Sequence, residues 1–173
     1  MIVILLVVFL ISIYNNLVQL RQRVQNAWAQ VDVQLKRRYD LIPNLVGAVK
    51  GYAQHEKSTL ESVTQARNMA MNASNIQEQM QAENMLTGAL RSLFAVAEAY
   101  PELKANTNFL QLQAELTDTE SKIAFSRQFY NDTVQKFNTK IELFPTNLVA
   151  GMLGFAAVDY FNLQGEPDAR QAV

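Results

Sequence analysis

Cysteine is absent from the 173 residues, which excludes a disulfide framework, a thiolate metal site, an iron–sulfur cluster and a cysteine nucleophile. A single histidine, His55, is too few for the paired Glu-x-x-His elements of a di-iron bundle. His55-Glu56 opens like a His-Glu-x-x-His zinc motif, but position 59 is Thr, so the second ligand is missing. His55 is instead expected on a helix surface or in an interhelix hydrogen bond. With six glycines and four prolines, no glycine-rich phosphate loop, dinucleotide fingerprint or Gly-x-Ser-x-Gly elbow is present. Neither sign of charge dominates: 15 Lys plus Arg stand against 16 Asp plus Glu, for a formal net charge of -1. The general electrostatic pull behind nucleic-acid binding is therefore missing. No metal, cofactor or nucleic-acid partner is expected.

What the chain does have is a leading apolar run. Residues 1–20 carry no charged side chain, and residues 2–11 are apolar without a break. A helix needs roughly 20 residues to cross about 30 Å of hydrocarbon, so the run spans only by recruiting residues 12–17. A cleaved signal peptide would need a basic leading region and an Ala-x-Ala-like site closing the apolar run, and this run has neither. A buried core helix would show a polar face, also missing. The reading is a minimal single-pass anchor over residues 1–16, with membrane lipid as its partner. Arg21, Arg23, Lys36, Arg37 and Arg38 follow with only Asp32 opposing them. By the positive-inside tendency, the remainder lies on the cytoplasmic side of the cell (inner) membrane.

The prolines fall at 43, 101, 145 and 167, leaving long stretches between them without a breaker. Apolar residues there recur every three or four positions. Leu17, Leu20, Val24, Ala27, Val31 and Leu35 form one stripe, and Leu45, Val49, Tyr52, Leu60 and Val63 another. Met80, Leu86, Leu90, Leu93 and Val96 form a third, and Phe109 through Phe144 a fourth. Asp40 reads as an N-cap with Pro43 in the first turn behind it, and Ser74 or Asn75 as the opening of the third helix. The spacing predicts helices over residues 2–38, 42–72, 76–99 and 106–144. Short connections make them an all-α, antiparallel up-down four-helix bundle over residues 17–145, the first helix continuous with the anchor. At about 1.5 Å per residue the first and fourth helices differ in length, so the fourth is expected to bend or overhang, or the first to pair along part of its span. Near-heptad spacing also suits a coiled-coil homo-oligomer.

Three groups of residues are candidates for function. Arg37, Arg38, Tyr39 and Asp40 end the first helix on this reading, and with Tyr100, Glu102 and Lys104 they form a distal tip for docking a partner, such as another membrane protein. Glu56, Arg67, Glu120 and Arg127 stand as a polar network inside the bundle, since buried charges need partners. Residues 146–173 form a separate C-terminal piece. Its stretch 147–163 is largely apolar, with Asp159 the sole formal charge. Leu148, Met152, Phe155 and Phe161 there are candidates for packing, membrane contact or an oligomer seam.

These residues together resemble a known family. Asn26-Ala27-Trp28, then Asp32 through Arg38, Asp40-Leu41-Ile42-Pro43-Asn44-Leu45-Val46 and Gly51-Tyr52-Ala53 with His55-Glu56 are similar to the LemA family. So are Ala99-Tyr100-Pro101, Leu103-Lys104-Ala105-Asn106, Thr119-Glu120, Tyr130-Asn131 and Phe144-Pro145. The match covers about residues 14–155. It departs at Thr107, where members often carry an acidic residue, and at Val173, where many continue. The resemblance implies a bacterial, membrane-anchored helical bundle with a cytoplasmic body, and magnetosome-associated relatives point towards membrane organisation. The expected function is a non-enzymatic scaffold or adaptor, oligomeric. The alternatives are membrane remodelling through the segment after Pro145, and an enzyme or small-ligand binder built on the intra-bundle polar residues.

Overall fold

The computed structural model describes residues 1–163, and every described element is helical. In chain order these are α1 (Ile2–Lys50), α2 (Lys57–Met71), α3 (Ile76–Ala99), the short α4 (Pro101–Lys104), α5 (Thr107–Glu142) and α6 (Thr146–Met152). The third expected helix coincides with α3 and the fourth nearly with α5. The first two do not: α1 runs to Lys50 with Pro43 inside it, and α2 begins at Lys57.

The reason lies in the apolar phase. Beyond Leu35 the buried stripe of α1 continues through Arg38, Ile42, Leu45 and Val49 without changing register. Pro43 removes one backbone N–H and leaves the Tyr39 carbonyl without its i+4 donor. That carbonyl is not orphaned, because Arg67 Nε of α2 donates to it at 2.7 Å. Asp40 is therefore a mid-helix residue, not an N-cap. The extension also reduces the expected length mismatch, since the part of α1 beyond residue 16 is nearly as long as α5.

Boundaries elsewhere follow local chemistry. Asn75 caps α3 by accepting from Glu78 N–H at 2.9 Å, while the Glu78 carboxylate reaches back to the Ser74 N–H at 2.8 Å. That reciprocal capping satisfies donors at both sites and holds the Glu78 carboxyl below the usual range. Asn106 does the same for α5, accepting from Phe109 N–H at 3.0 Å. His55 is exposed in the turn between α1 and α2 rather than on a helix.

The chain divides into two compact units. The first comprises Met1–Val31 and Phe125–Tyr160. Its core is Leu17, Val24, Ala27 and Val31 of α1 with Tyr130, Val134 and Phe137 of α5. The Trp28 and Tyr130 rings meet edge-on at 5.3 Å, a geometry that suits the aromatic quadrupoles. After the cis Phe144-Pro145 bond, α6 buries Thr146 and Ala150. Gly154, at φ 72°, then reverses the chain so that Phe155 N–H donates to Ala150 O at 3.0 Å. This is a Schellman closure, which needs a left-handed residue. The segment after Pro145, expected as a separate piece, thus belongs to this unit as far as Tyr160. Its last stretch has no regular secondary structure and is tied to α5. Asn138 both donates to Val158 O and accepts from Val158 N–H at 2.9 Å, and the Tyr130 hydroxyl donates to Asp159 O at 2.9 Å. Burial pushes the Tyr130 hydroxyl up to about 12.

The second unit comprises Asp32–Ala124 and Phe161–Val173, of which residues 164–173 lie outside the described ones. Here α2 and α3 pack as a hairpin joined by residues 72–75. Leu45 and Val49 of α1, Val63 of α2, Leu86 and Leu93 of α3 and Phe109 and Leu116 of α5 are buried. Phe161 is fully buried, and the Asn162 N–H lies 3.2 Å from the Met80 sulfur.

Candidate functional site

Within the second unit, one buried guanidinium of α1 meets side chains of α3 and α5. Arg38, 1% exposed, occupies a core position of α1 between Leu35 and Ile42. Its Nη1 donates to Glu83 Oε2 at 2.7 Å and its Nη2 to Thr87 Oγ1 at 2.9 Å, both on α3. Its Nε lies 2.9 Å from Glu120 Oε1 of α5, an ion pair without hydrogen-bond alignment. Glu83 is fully buried, and its other oxygen accepts from the Tyr39 hydroxyl. Gln79 Nε2 donates to both Tyr39 Oη at 2.7 Å and Glu83 Oε1 at 2.9 Å. Arg67 brings in α2 through the Tyr39 carbonyl.

The electrostatics follow from the count of partners. Two carboxylates share one guanidinium, Glu83 in the buried interior and Glu120 at a rim where its side chain is 41% exposed. Burial raises the Glu120 carboxyl above the usual carboxylate value, Arg38 opposes the shift and Glu83 reinforces it. Burial and the adjoining Glu83 carboxylate raise the Tyr39 phenol far above its ordinary range, so it remains a donor. Beside the rim lies a 370 Å³ cavity bordered by Arg38, Arg91, Gln113 and Glu120. Among the described residues no three His, Asp or Glu side chains group as metal ligands.

The expected docking tip is corrected by this placement. Arg38 and Tyr39 are core residues in mid-helix, because α1 does not end at residue 38. Arg37 lies outside the core and sits 3.4 Å from Asp118, while Asp40 is exposed on the same helix. Tyr100 links α3 and α4, Glu102 is exposed on α4, and Lys104 pairs with Glu98. At that end Asn106 donates to the Tyr52 hydroxyl at 3.0 Å.

Of the residues expected to form a polar network, Arg67 and Glu120 reach the cluster through Tyr39 and Arg38. Glu56 is a half-buried residue at the start of α2 whose side chain makes no capping bond. Arg127 belongs to the first unit and is buried there, which lowers its pKa. Sequence reasoning missed Arg38 and Glu83 as the centre. Both stand at apolar phase, Glu83 three residues before Leu86 and seven before Leu90, and that was the available signal. Among the apolar candidates, Leu148 and Met152 are exposed. Phe155 packs against Tyr14 and Phe137, and Phe161 is interior, so it is no contact surface.

The LemA family profile matches residues 27–173, which includes the whole cluster. The chain belongs to the LemA family. Protein LemA of Metamycoplasma hominis is 32% identical over 152 residues, 85% of this chain and 68% of that protein. Magnetosome protein MamQ 2 of Paramagnetospirillum magneticum and magnetosome protein MamQ of Magnetospirillum gryphiswaldense are each 25% identical, over 86% of this chain and 64% of their own length. The chain thus spans less than two thirds of those magnetosome proteins. The matched span takes in the second unit and the first from residue 27 on, and so includes both the cluster around Arg38 and the aromatic pair Trp28 and Tyr130.

Proposed function

We propose that this LemA-family chain is a membrane-anchored scaffold or adaptor whose helical body stands on the cytoplasmic side and works as a homo-oligomer, without catalysis. The observation that carries the reading is α1 itself. It is one helix from Ile2 to Lys50, long and apolar enough to cross a membrane. Its leading residues are largely uncovered by the rest of the protein, from 83% exposed at Ile2 to 40% at Leu10. Burying such side chains is worth roughly 1.5–3 kcal/mol each, so an uncovered run of them calls for lipid. The same helix then enters the core at Leu17, which couples any anchor rigidly to the body.

A scaffold is also what the polar cluster favours. Most of its donors and acceptors meet one another and link α1, α2, α3 and α5, which supports an up-down arrangement of those four helices. Phe125 and Phe129, 75% and 52% exposed at i and i+4 on α5, support self-association. A membrane protein remains the partner class most compatible with an anchored body. The MamQ relatives are magnetosome proteins by name, which is compatible with a membrane-organising role for this chain.

The test is fractionation of cells expressing the full chain or a form lacking residues 2–16, with protease added to inverted vesicles and crosslinking in mild detergent. Membrane retention that depends on residues 2–16, cleavage only from the cytoplasmic face, and crosslinked multimers are expected. A soluble full chain, or an uncrosslinkable monomer without any partner, overturns the reading.

A further inference from the structure

In the first unit a second apolar surface stands beside the anchor. No charged residue occurs between Glu142 and Asp159. Within that stretch Phe144 is 79% exposed and Met152 87%, with Leu143, Leu148 and Leu153 also more than half exposed. Thr146 and Ala150 fill the inward face of α6, so Leu148 and Met152, at i and i+4, form its outward one.

The height of this surface along α1 is fixed by Phe155. Its ring lies 6.2 Å from that of Tyr14 and 6.4 Å from that of Phe137, and the Arg21 guanidinium sits 5.2 Å from its centroid. Phe155 is joined to α6 by the bond to Ala150 O. Tyr14 follows the apolar run by only three residues, about 4.5 Å of helix rise. The outward face of α6 therefore lies where α1 leaves the run. Aromatic and cationic side chains such as Tyr14 and Arg21 are those that settle at the headgroup level.

We propose that α6 and its flanks, Phe144 through Leu153, seat in the headgroup and acyl boundary of the leaflet from which α1 emerges, giving the protein a second, interfacial point of membrane attachment. This rests on the reading of residues 2–16 as a span. The occupant is lipid rather than a second copy because the surface continues directly from the apolar run. A short helix with an apolar outer face and no charge matches an element lying about 5–10 Å deep in the interface. Two points of contact fix the rotation of α1 about its own axis, which a lone span leaves free.

The absence of cysteine makes the test clean. Single variants Phe9→Cys, Leu148→Cys, Met152→Cys and, as a control on an exposed residue of α2, Ser58→Cys are labelled with an environment-sensitive fluorophore. Each full chain is reconstituted into phosphatidylcholine and phosphatidylglycerol vesicles carrying a nitroxide quencher high or low on the acyl chain. Circular dichroism confirms that helix content is unchanged. The labels at 148 and 152 are expected to lose about half their emission or more with the shallow quencher and less with the deep one. The label at 9 should favour the deep quencher, and that at 58 neither. Quenching at 9 without quenching at 148 and 152 overturns the interfacial seat and leaves the span standing. No quenching at any position overturns both. Blue-shifted, concentration-dependent emission at 152 without lipid quenching assigns the surface to a second copy and overturns the proposal.

Discussion

Both units bury polar side chains, but they use them differently. In the second unit, side chains from different helices satisfy one another: Arg38 meets Glu83, Thr87 and Glu120, and Tyr39 meets Glu83 and Gln79. In the first, side chains of α5 satisfy backbone: Asn138 takes both the N–H and the carbonyl of Val158, and Tyr130 takes the carbonyl of Asp159. The first arrangement sets the register between helices and makes it costly to slide one past another. The second pins an irregular segment that has no helix or sheet of its own to satisfy its peptide groups. The same expense, burying polarity, thus yields a cross-brace in one unit and a strap in the other.

The largest break in this comparison comes from Arg38→Ala. It strands the fully buried Glu83 without its cation, and removal of one partner from a buried pair costs about 3–5 kcal/mol. Urea denaturation followed by circular dichroism should show that loss. The double variant Arg38→Met with Glu83→Leu should recover much of it, because charge is removed from both sides. If Arg38→Ala unfolds at the wild-type urea midpoint, the brace is not structural.

Next in size is the coupling between Pro43 and Arg67. With Pro43 present, Arg67 Nε is the donor to the Tyr39 carbonyl, and a hydrogen bond from a charged group contributes about 1.5–3 kcal/mol. In a Pro43→Ala background the new N–H serves that carbonyl, so Arg67→Ala should cost markedly less. A double-mutant cycle measures the difference. Additive effects would break the link between the proline and the arginine.

This pair also marks the limit of what was legible beforehand. The α3 helix could be read because local signals agreed on it: Asn75 before, Pro101 after, and an apolar stripe between. The end of α1 could not, since Asp40 and Pro43 carry the local pattern of a helix start. What overrides them is the core stripe running on through Ile42, Leu45 and Val49, with Arg67, distant in sequence, donating to the carbonyl that Pro43 frees. The pairing of Arg38 with Glu83 and Glu120 likewise depends on how three helices register. Of the three, only Glu120 reads from sequence as inside the bundle; Arg38 reads as part of the distal tip, and Glu83 is not singled out. The exposed surface of α6 was legible as composition, its place beside Tyr14 was not, because Gly154 and Phe155 set it through the chain reversal.

For the strap the expected effect is smaller and local. Asn138→Ala leaves the Val158 N–H and carbonyl without their partner, a loss of about 1–3 kcal/mol if no water replaces it. Hydrogen exchange should rise in residues 155–160 while amides near Arg38 keep their protection. A uniform rise through both units would mean that strap and brace unfold as one.

The smallest effect concerns Glu120, the rim member of the brace, and it appears as a slope with pH. Burial raises its carboxyl above the ordinary value of 4.5 despite Arg38, so the folded state holds this proton longer than the unfolded chain does. The stability associated with that proton is fully present below the unfolded value and is lost as pH rises through the raised folded one. Glu120→Gln has no such proton to lose. Its urea midpoint should therefore change less with pH than the wild type's from about 4.5 upward, and the two curves should draw together at lower pH once allowance is made for a constant offset. The opposite trend, a wild type that gains on the variant as pH rises, would mean that attraction to Arg38 outweighs burial at the rim. Glu120 would then be as firmly ionised a member of the brace as its salt-bridge distance alone suggests.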